Sequence, residues 1–471
     1  MIVLSSVALG FFTLTRGHPW WDDFAGYLLQ AKSILTWTMG DYIRHNTFTI
    51  ENSSYPPGPV AYPWGFPLLL APVYAVFGAN PLALKLVGLC FFMVFLLSAA
   101  YLARTRLPET EALLLTAVLA FAPALLAAND LILSDIPFLA ISTLSLVLIE
   151  RFSERQAKRL GALLGASIFM AFFLRTNGIL LLAPLLISLL ITRWPNWNTA
   201  LSKAAGPLLI FVGLALLQFL LFPGGQSSYF SHFSMFSAQR LLENVTYYLW
   251  LPFMTFDQVP GGGILYPLLV IFGCISLCRH GRRDAALHIY SLLTILLFIV
   301  WPERQGLRFI YPVLPFLFIS GFDGMRLIVE QVRKSWQVAA ERLLRGFWCV
   351  VVLVFLGLSS WSAFQVTAGG REINGPFDQY SKQMYAFIRE NTPSESVMIF
   401  VRPRALRLFT GRDAFMTDRC SDLLKGDYLI LHLKMEANGQ ISPDQIQACG
   451  PAIRLEETFE NKRFIVYKIS Q

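Results

Sequence analysis

Two adjacent carboxylates, Asp22 and Asp23, follow the first apolar stretch of the chain, and a third, Asp135, lies near the start of a later one. An ionised carboxylate can take the proton of a hydroxyl group while that hydroxyl attacks a substrate. The three residues are therefore candidates for general base catalysis. Each also has a structural explanation, because an acidic residue at the N-terminus of a helix is stabilised by the helix dipole.

Basic side chains that could bind a phosphate accompany these acids. They are Lys85, Arg175, Arg304 and Arg308. The N–H donors of arginine bind phosphate oxygens in pairs and stabilise a phosphate as it leaves. Three tyrosines are candidates for contacting the substrate: Tyr55, Tyr62 and Tyr311. The alternative is that these arginines and aromatic residues only anchor the chain at a membrane surface.

No metal or cofactor site is evident in the residue pattern. The six histidines are scattered without a metal-binding spacing, and no glycine-rich phosphate loop is present. Cys274 and Cys278 lie four residues apart in an apolar stretch, where packing is their expected role. We predict no resident cofactor and no protein metal ligands, and we leave the use of a divalent metal open.

The elements that must position these residues are membrane-spanning helices. Hydrophobic residues make up 55% of the 471 residues and charged residues only 14%, with a mean hydropathy of +0.54. Soluble domains contain about 25% charged residues, so the composition excludes an ordinary soluble enzyme. We predict eleven spans, at residues 2–15, 82–103, 111–128, 131–150, 161–176, 177–192, 205–222, 263–279, 285–301, 307–326 and 346–364.

The distribution of Lys and Arg predicts the orientation of the spans. With the N-terminus in the cytoplasm, the short cytoplasmic connections contain sixteen basic residues, whereas the long external segments 16–81 and 223–262 contain few. The C-terminal region is then outside the cytoplasm. This asymmetry accounts for most of the net charge of +8, so no nucleic-acid partner is needed to explain it.

The predicted positions of the ionisable residues favour an enzyme over a transporter. The candidate acids and bases gather at the external ends of the spans, whereas the centres of the spans are almost free of charge. A transporter would be expected to hold polar groups near the bilayer midplane. A lipid-linked glycan flippase or another transporter is the alternative, and a structural scaffold would leave this one-sided cluster unexplained.

Residues 365–471 have the charge balance of a soluble domain, with fourteen basic and thirteen acidic residues. The pattern predicts helices at 378–391 and after Ser442, and strands at 396–401, 427–433 and 463–469. We therefore divide the chain into a transmembrane domain, 1–364, and a small extracytoplasmic α/β domain, 365–471. Cys420 and Cys449 are candidates for a disulfide in that compartment.

Several segments together resemble the C-type membrane glycosyltransferases, and especially the protein mannosyltransferase and lipid A aminoarabinose transferase group (glycosyltransferase family 39). The resemblance covers nearly the whole chain and is carried by the order of the motifs. They occupy residues 21–27, 62–72, 133–137, 174–178, 308–315 and 402–412.

The resemblance implies a mainly α fold and the transfer of one sugar from a polyprenyl-phosphate donor. The acceptor would be a lipid, a glycan or a protein, at the outer face of the bacterial inner membrane. Asp22 matches the family's catalytic carboxylate, Asp23 the second acid of the pair, and Asp135 the acid of the second external loop. Arg175 and Arg308 match basic positions near the lipid phosphate. A single displacement with Asp22 as base implies inversion at the anomeric carbon.

Overall fold

The computed structural model describes residues 1–470 except 56, 156, 194, 225–236, 258, 260–261, 371–372, 436–437 and 450–452. Most of the described chain is helical. The helices before residue 225 are α1 (Ile2–Phe12), α2 (Asp22–Leu35), α3 (Met39–Asn52), α4 (Gly65–Phe77), α5 (Pro81–Arg104), α6 (Glu109–Phe121), α7 (Pro123–Asn129), α8 (Asp135–Arg155), α9 (Lys158–Leu174), α10 (Leu182–Arg193) and α11 (Trp197–Leu221).

Five further helices complete the membrane part of the chain. They are α12 (Ala238–Trp250), α13 (Gly262–His280), α14 (Ala285–Val300), α15 (Leu314–Gln331) and α16 (Lys334–Gly369). Short 3₁₀ turns occupy Thr176–Leu181, Leu251–Thr255 and Gly306–Phe309. The buried aliphatic and aromatic side chains of the membrane helices form one large cluster that runs from α5 and α6 to α15 and α16.

Each of the eleven predicted spans contains a helix. Within the described residues, six helices are long and apolar enough to cross a membrane, and α6 with α7 makes a seventh if that pair is one span bent by 50°. The bend lies at Pro123, which cannot continue the hydrogen-bond ladder of α6. The predicted division between 161–176 and 177–192 is also present, because α9 ends just before Arg175.

The external segments are more structured than the sequence pattern suggested. Segment 16–81 contains α2, α3 and the apolar helix α4, none of which was predicted. The predicted span at 307–326 begins too early, since α15 starts at Leu314 and Arg308 lies in a 3₁₀ turn before it. The other external segment, 223–262, is only partly within the described residues.

The C-terminal region forms a mixed sheet flanked by helices. Its elements are α17 (Gln379–Asn391), β1 (Met398–Ile399), α18 (Pro403–Thr410), β2 (Ala414–Phe415), β3 (Tyr428–His432), α19 (Pro443–Ala448), β4 (Arg454–Glu460) and β5 (Phe464–Ser470). The strand order is β2-β1-β3-β5-β4, with parallel pairing around β1 and antiparallel pairing around β5. Strands β2 and β4 and helix α18 were not predicted.

The disulfide prediction is confirmed. The Cα atoms of Cys420 and Cys449 are 5.4 Å apart and their sulfur atoms are bonded. This bond ties the 3₁₀ turn Cys420–Lys425 to the end of α19.

The C-terminal region shares a hydrophobic core with α2 and α4. Phe24 of α2 and Phe66 of α4 belong to the same buried cluster as Met384 of α17 and Leu406 of α18. The predicted boundary between residues 364 and 365 lies inside α16, which continues to Gly369. This shared core holds α2 and α18 side by side, and that contact shapes the site described next.

Candidate active site

A cavity of about 1050 Å³ lies between the C-terminal sheet and the ends of the membrane helices that are nearest to it. Its walls contain side chains from α2, the segment before α4, the α9–α10 break, the turn before α15, and the C-terminal region. Besides Tyr55 and Tyr62, four of the predicted site residues are on these walls: Asp22, Asp23, Arg175 and Arg308. Asp135 is not on the walls, but it forms ion pairs with both arginines.

The charged residues of the cavity all sit where a helix begins or is interrupted. Asp22 is the first residue of α2 and Asp135 is the first residue of α8. Arg175 has an extended backbone immediately after α9, and Arg308 lies in the turn before α15. These breaks place the ionic groups at the rim of the apolar bundle, where a charged group is less costly than at the bilayer centre.

Asp22 is nearly inaccessible, with 8% of its surface exposed. Its Oδ1 accepts a hydrogen bond from the backbone N–H of Ala405 at 3.2 Å. Its Oδ2 has no hydrogen-bond partner among the described residues and lies 4.0 Å from Nε of Arg404. Burial raises the pKa of Asp22 above its ordinary value, and the charges of Arg404 and Arg402 offset only part of that effect.

Asp23 has a different environment although it is the next residue. Its Oδ1 accepts a hydrogen bond from the Tyr62 hydroxyl at 2.8 Å, and its Oδ2 lies 3.2 Å from Nη1 of Arg308. Burial would raise the pKa of Asp23, but the charge of Arg308 and the hydrogen bond from Tyr62 outweigh it. The pKa of Asp23 therefore lies below its ordinary value, and the side chain is ionised.

Arg308 joins two acids that are far apart in sequence. Besides Asp23, it contacts Asp135, with 3.1 Å between Nη2 and Oδ2. Asp135 also forms an ion pair with Arg175. Asp135 thus lies between two guanidinium groups, and its charge allows them to approach the same cavity despite their mutual repulsion.

The arrangement does not resemble a metal centre. Over the part of the chain that the structure describes, no group of three or more His, Cys, Asp or Glu side chains is placed to hold a metal ion. Arg308 occupies the space between Asp23 and Asp135 where a divalent cation would need their oxygens. The residues present therefore fit a cationic guanidinium at this point better than a bound metal.

Three of the predicted site residues lie elsewhere. The Lys85 ammonium is buried, ion-paired with Asp130 at 2.7 Å and hydrogen-bonded to the carbonyl oxygens of Thr15 and Gly17, so its donors are used inside the protein. Arg304 binds Asn244 and Glu243 away from the cavity. The Tyr311 hydroxyl lies 3.5 Å from the carbonyl oxygen of Ala124 and does not reach the cavity walls.

The two other predicted tyrosines do face the cavity. Tyr55 is on its wall and about half exposed, with 48% of its surface accessible. Tyr62 is held between Asp23 and Arg404, with its hydroxyl 3.0 Å from Nη1 of Arg404. Either ring can supply a flat surface for a sugar, whereas the Tyr62 hydroxyl is already hydrogen-bonded to Asp23 and Arg404.

The sequence interpretation missed the contribution of the C-terminal region to the cavity. Arg402 and Asn438 are on its walls, and Arg404 lies behind Tyr62. Further polar side chains on the walls are those of Tyr27, Ser134, Thr176, Asn177, Glu303 and Gln305. The segment 402–412 was recognised as part of a family pattern, but no spacing rule connects residue 404 with residue 22.

Comparison with known proteins supports the resemblance seen in the sequence. Residues 61–223 match the family Dolichyl-phosphate-mannose-protein mannosyltransferase. No curated protein matches the chain by sequence.

Solved structures match over almost the full length. ArnT from Cupriavidus metallidurans in the apo state has a TM-score of 0.60 at 13% identity, covering 99% of this chain and 96% of that chain. The same protein bound to undecaprenyl phosphate has a TM-score of 0.59 at 15% identity, covering 99% and 97%. The oligosaccharyltransferase of Archaeoglobus fulgidus, in complex with Zn and sulfate, has a TM-score of 0.60 at 12% identity, covering 92% of this chain and 68% of that chain.

The polytopic helical bundle, the mixed C-terminal sheet and the family match over residues 61–223 confirm the predicted resemblance. The chain has the fold of the C-type membrane glycosyltransferases and is similar in sequence to the protein mannosyltransferases.

Proposed function

We propose that this protein is an integral membrane glycosyltransferase that moves one sugar from a polyprenyl-phosphate donor to an acceptor hydroxyl. The observation that supports this most directly is one cavity whose walls contain two arginines, Arg175 and Arg308, and Asp22, whose Oδ2 has no hydrogen-bond partner among the described residues. These are the groups needed to deprotonate a nucleophile and to bind a departing phosphate. The similar ArnT structure bound to undecaprenyl phosphate supports the donor class.

The proposed reaction is a single displacement. The acceptor O–H gives its proton to Oδ2 of Asp22, and the acceptor oxygen forms a bond to the anomeric carbon. The bond between that carbon and the phosphate oxygen breaks, and the polyprenyl phosphate leaves with the bonding electron pair. Arg175 and Arg308 stabilise the negative charge that develops on the phosphate. Attack opposite the leaving group inverts the anomeric configuration.

The reaction takes place, in this proposal, at the outer face of a bacterial inner membrane. The Lys and Arg asymmetry supports an external position for the cavity and the C-terminal domain. The acceptor is a lipid, a glycan or a protein. The apolar helices beside the cavity suit a donor that remains in the membrane through its lipid tail.

An assay in detergent separates this function from transport. Purified protein would be incubated with polyprenyl-phosphate donors that carry radiolabelled hexoses or pentoses, together with envelope lipids and proteins from cells that lack the gene. We expect one donor to yield a labelled acceptor and an equal amount of free polyprenyl phosphate. A flippase needs two compartments and would give no product, and a failure of every donor with folded protein would contradict the proposal.

A further inference from the structure

Arg404 is the most extensively hydrogen-bonded side chain near the acidic pair, although it comes from the C-terminal region. Only 1% of its surface is exposed. Its Nε donates to Oδ1 of Asn46 at 3.0 Å, its Nη1 to the carbonyl oxygen of Pro57 at 2.9 Å, and its Nη2 to that of Pro59 at 2.6 Å. A buried cation is costly unless its donors are satisfied. These bonds therefore tie α18 firmly to α3 and to the segment before α4.

The remaining contact of Arg404 determines the direction of a hydrogen bond to the acidic pair. Nη1 of Arg404 also donates to the Tyr62 hydroxyl oxygen at 3.0 Å. Since guanidinium groups only donate, the single hydroxyl proton of Tyr62 is directed to Oδ1 of Asp23, 2.8 Å away. The guanidinium carbon also lies 5.2 Å from the centre of the Tyr62 ring.

The packing around this contact leaves little freedom. Gly58 has a φ of +115°, and a Cβ atom there would lie 3.0 Å from the Tyr62 hydroxyl oxygen and 3.5 Å from Nη1 of Arg404. A larger residue would strain the backbone and crowd both groups. Tyr62 and Arg404 therefore have one well-defined mutual position.

The same helix also positions the first acid. The N–H of Ala405 holds Oδ1 of Asp22, and Nε of Arg404 lies 4.0 Å from Oδ2. Two consecutive residues of α18 thus interact directly with Asp22. The first of them, Arg404, also acts on Asp23 through Tyr62.

We infer that Arg404 is a positioning residue of the transfer site, through which the C-terminal domain orients Asp22 and Asp23 for the reaction. The inference rests on the proposed function. A merely structural role for Arg404 would make the protein less stable but would leave each folded molecule fully active, and this difference makes the inference testable.

The test compares Arg404→Met, Arg404→Lys and Tyr62→Phe with Arg389→Met as a matched control. Arg389 is in the same region, is exposed on α17, and donates to the carbonyl oxygen of Phe409 rather than to the site. Transfer would be measured per folded molecule in detergent, as kcat and as KM for the donor, over a range of pH.

For Arg404→Met we expect kcat to fall about 100-fold, the scale of a small misplacement of reacting groups, with little change in the donor KM. The acidic limb of the kcat profile should also move to higher pH. Removing a positive charge near Asp22 disfavours its ionised form, so a higher pH is needed to produce the base. Arg404→Lys should lower kcat without moving the limb, because the charge is retained.

Tyr62→Phe should lower kcat about tenfold and leave the limb in place, since it removes one hydrogen bond to Asp23. Other groups also act on Asp22 and remain in all these variants: Arg402, the backbone of Ala405, Asp23, Tyr42 and Tyr385. Arg389→Met should behave as the wild type. If Arg404→Met fails to fold, wild-type kcat in both Arg404→Lys and Tyr62→Phe would overturn the inference.

A readout without turnover separates this inference from the proposed function. The infrared carbonyl band of protonated Asp22, identified by its loss in Asp22→Asn, reports the titration of this group directly. In Arg404→Met the band should persist to higher pH than in the wild type. An unmoved band would refute the inference even in a protein that transfers sugar. If the band moves in Arg404→Met but the wild type has no transferase activity, the effect of Arg404 on Asp22 is confirmed and the proposed function is refuted.

Discussion

Asp22 and Asp23 are neighbours in sequence, but the fold gives them different partners and opposite changes in pKa. Asp23 is ionised and engaged by Arg308 and Tyr62. Asp22 keeps one oxygen without a hydrogen-bond partner among the described residues, and its pKa is raised by burial. A base whose pKa is closer to the working pH accepts a proton more effectively. At the residue scale, Asp22 is therefore the better candidate for the base.

Asp22→Asn should lower transfer by about 10²–10⁴-fold, because the substitution keeps the size of the side chain but removes the proton acceptor. Donor binding should change little, since Arg175 and Arg308 are untouched. Turnover per folded molecule and donor affinity are the measurements. Asp41→Asn, at an exposed position of α3, is the matched control and should be fully active. Near-normal turnover of Asp22→Asn would show that this residue only caps α18.

Chelation should leave transfer unchanged. Arg308 already supplies the positive charge between Asp23 and Asp135, so a divalent cation has no evident place there. The measurement is turnover after dialysis against EDTA, with Mg²⁺, Mn²⁺ and Zn²⁺ added back separately. Loss of activity that one of these ions restores would show that the acids bind a metal during the reaction.

The helices carry ionic groups at both ends. On α8, Asp135 pairs with the cavity residues Arg175 and Arg308, whereas Glu150, about 22 Å further along the helix, pairs with Arg106. Arg106 also binds Asp284 at 2.8 Å, so it links three of the connections predicted to be cytoplasmic. At the scale of elements, this second cluster holds the opposite ends of the helices together, far from the candidate site.

Arg106→Gln should destabilise the protein by about 3–5 kcal/mol, because Glu150 and Asp284 would lose a buried partner. Activity per folded molecule should remain normal, since the cluster is remote from the cavity. Thermal or urea unfolding in detergent measures the change in stability. Arg44→Gln breaks an exposed pair with Asp41 and should cost no more than about 1 kcal/mol. Equal stability of the two variants would contradict the structural role of the Arg106 cluster.

The C-terminal region is a working part of the whole molecule, since it shares a hydrophobic core with α2 and α4 and forms one wall of the cavity. A disulfide cross-links this region internally, and the distribution of Lys and Arg predicts the side of the membrane on which it lies. Both properties can be tested on the full chain.

Replacing Cys420 and Cys449 together by serine should lower the stability of the C-terminal region by about 3–4 kcal/mol. The bond spans 29 residues, and its loss increases the freedom of the unfolded chain. Limited proteolysis and unfolding monitored with and without a reducing agent measure this change. The reducing agent should have no effect on the double variant, and equal stability of oxidised and reduced wild type would contradict the prediction.

Cysteine labelling tests the orientation. Ser394→Cys and Glu154→Cys would each be introduced at an exposed position into a protein whose four free cysteines are replaced by alanine. A membrane-impermeant maleimide should label Ser394→Cys in intact spheroplasts and Glu154→Cys only after permeabilisation. The reverse pattern would place the cavity on the cytoplasmic side.

Much of the architecture could be predicted because it depends on composition and local pattern. Apolar runs identify the helices, since a membrane span needs about 20 apolar residues. The break at Arg175 was visible because polar residues interrupt a long apolar run, and the helix at 378–391 because its apolar residues recur on one helical face. Short elements such as the two-residue strand β2 and the eight-residue helix α18 were missed, because so few residues give no clear periodicity.

The candidate site was predictable only in part. The types of its residues were evident in the sequence, since carboxylates and arginines at the ends of apolar segments are unusual and costly in a membrane protein. Only the tertiary structure decided which of them meet: Arg308 joins Asp23 and Asp135, whereas Lys85 and Arg304 satisfy other partners. Arg404 and Asp22 are 382 positions apart in the chain, and the packing of α18 on α2 brings them together. The spacing of residues in the sequence could not predict that contact, because it depends on how the two helices pack.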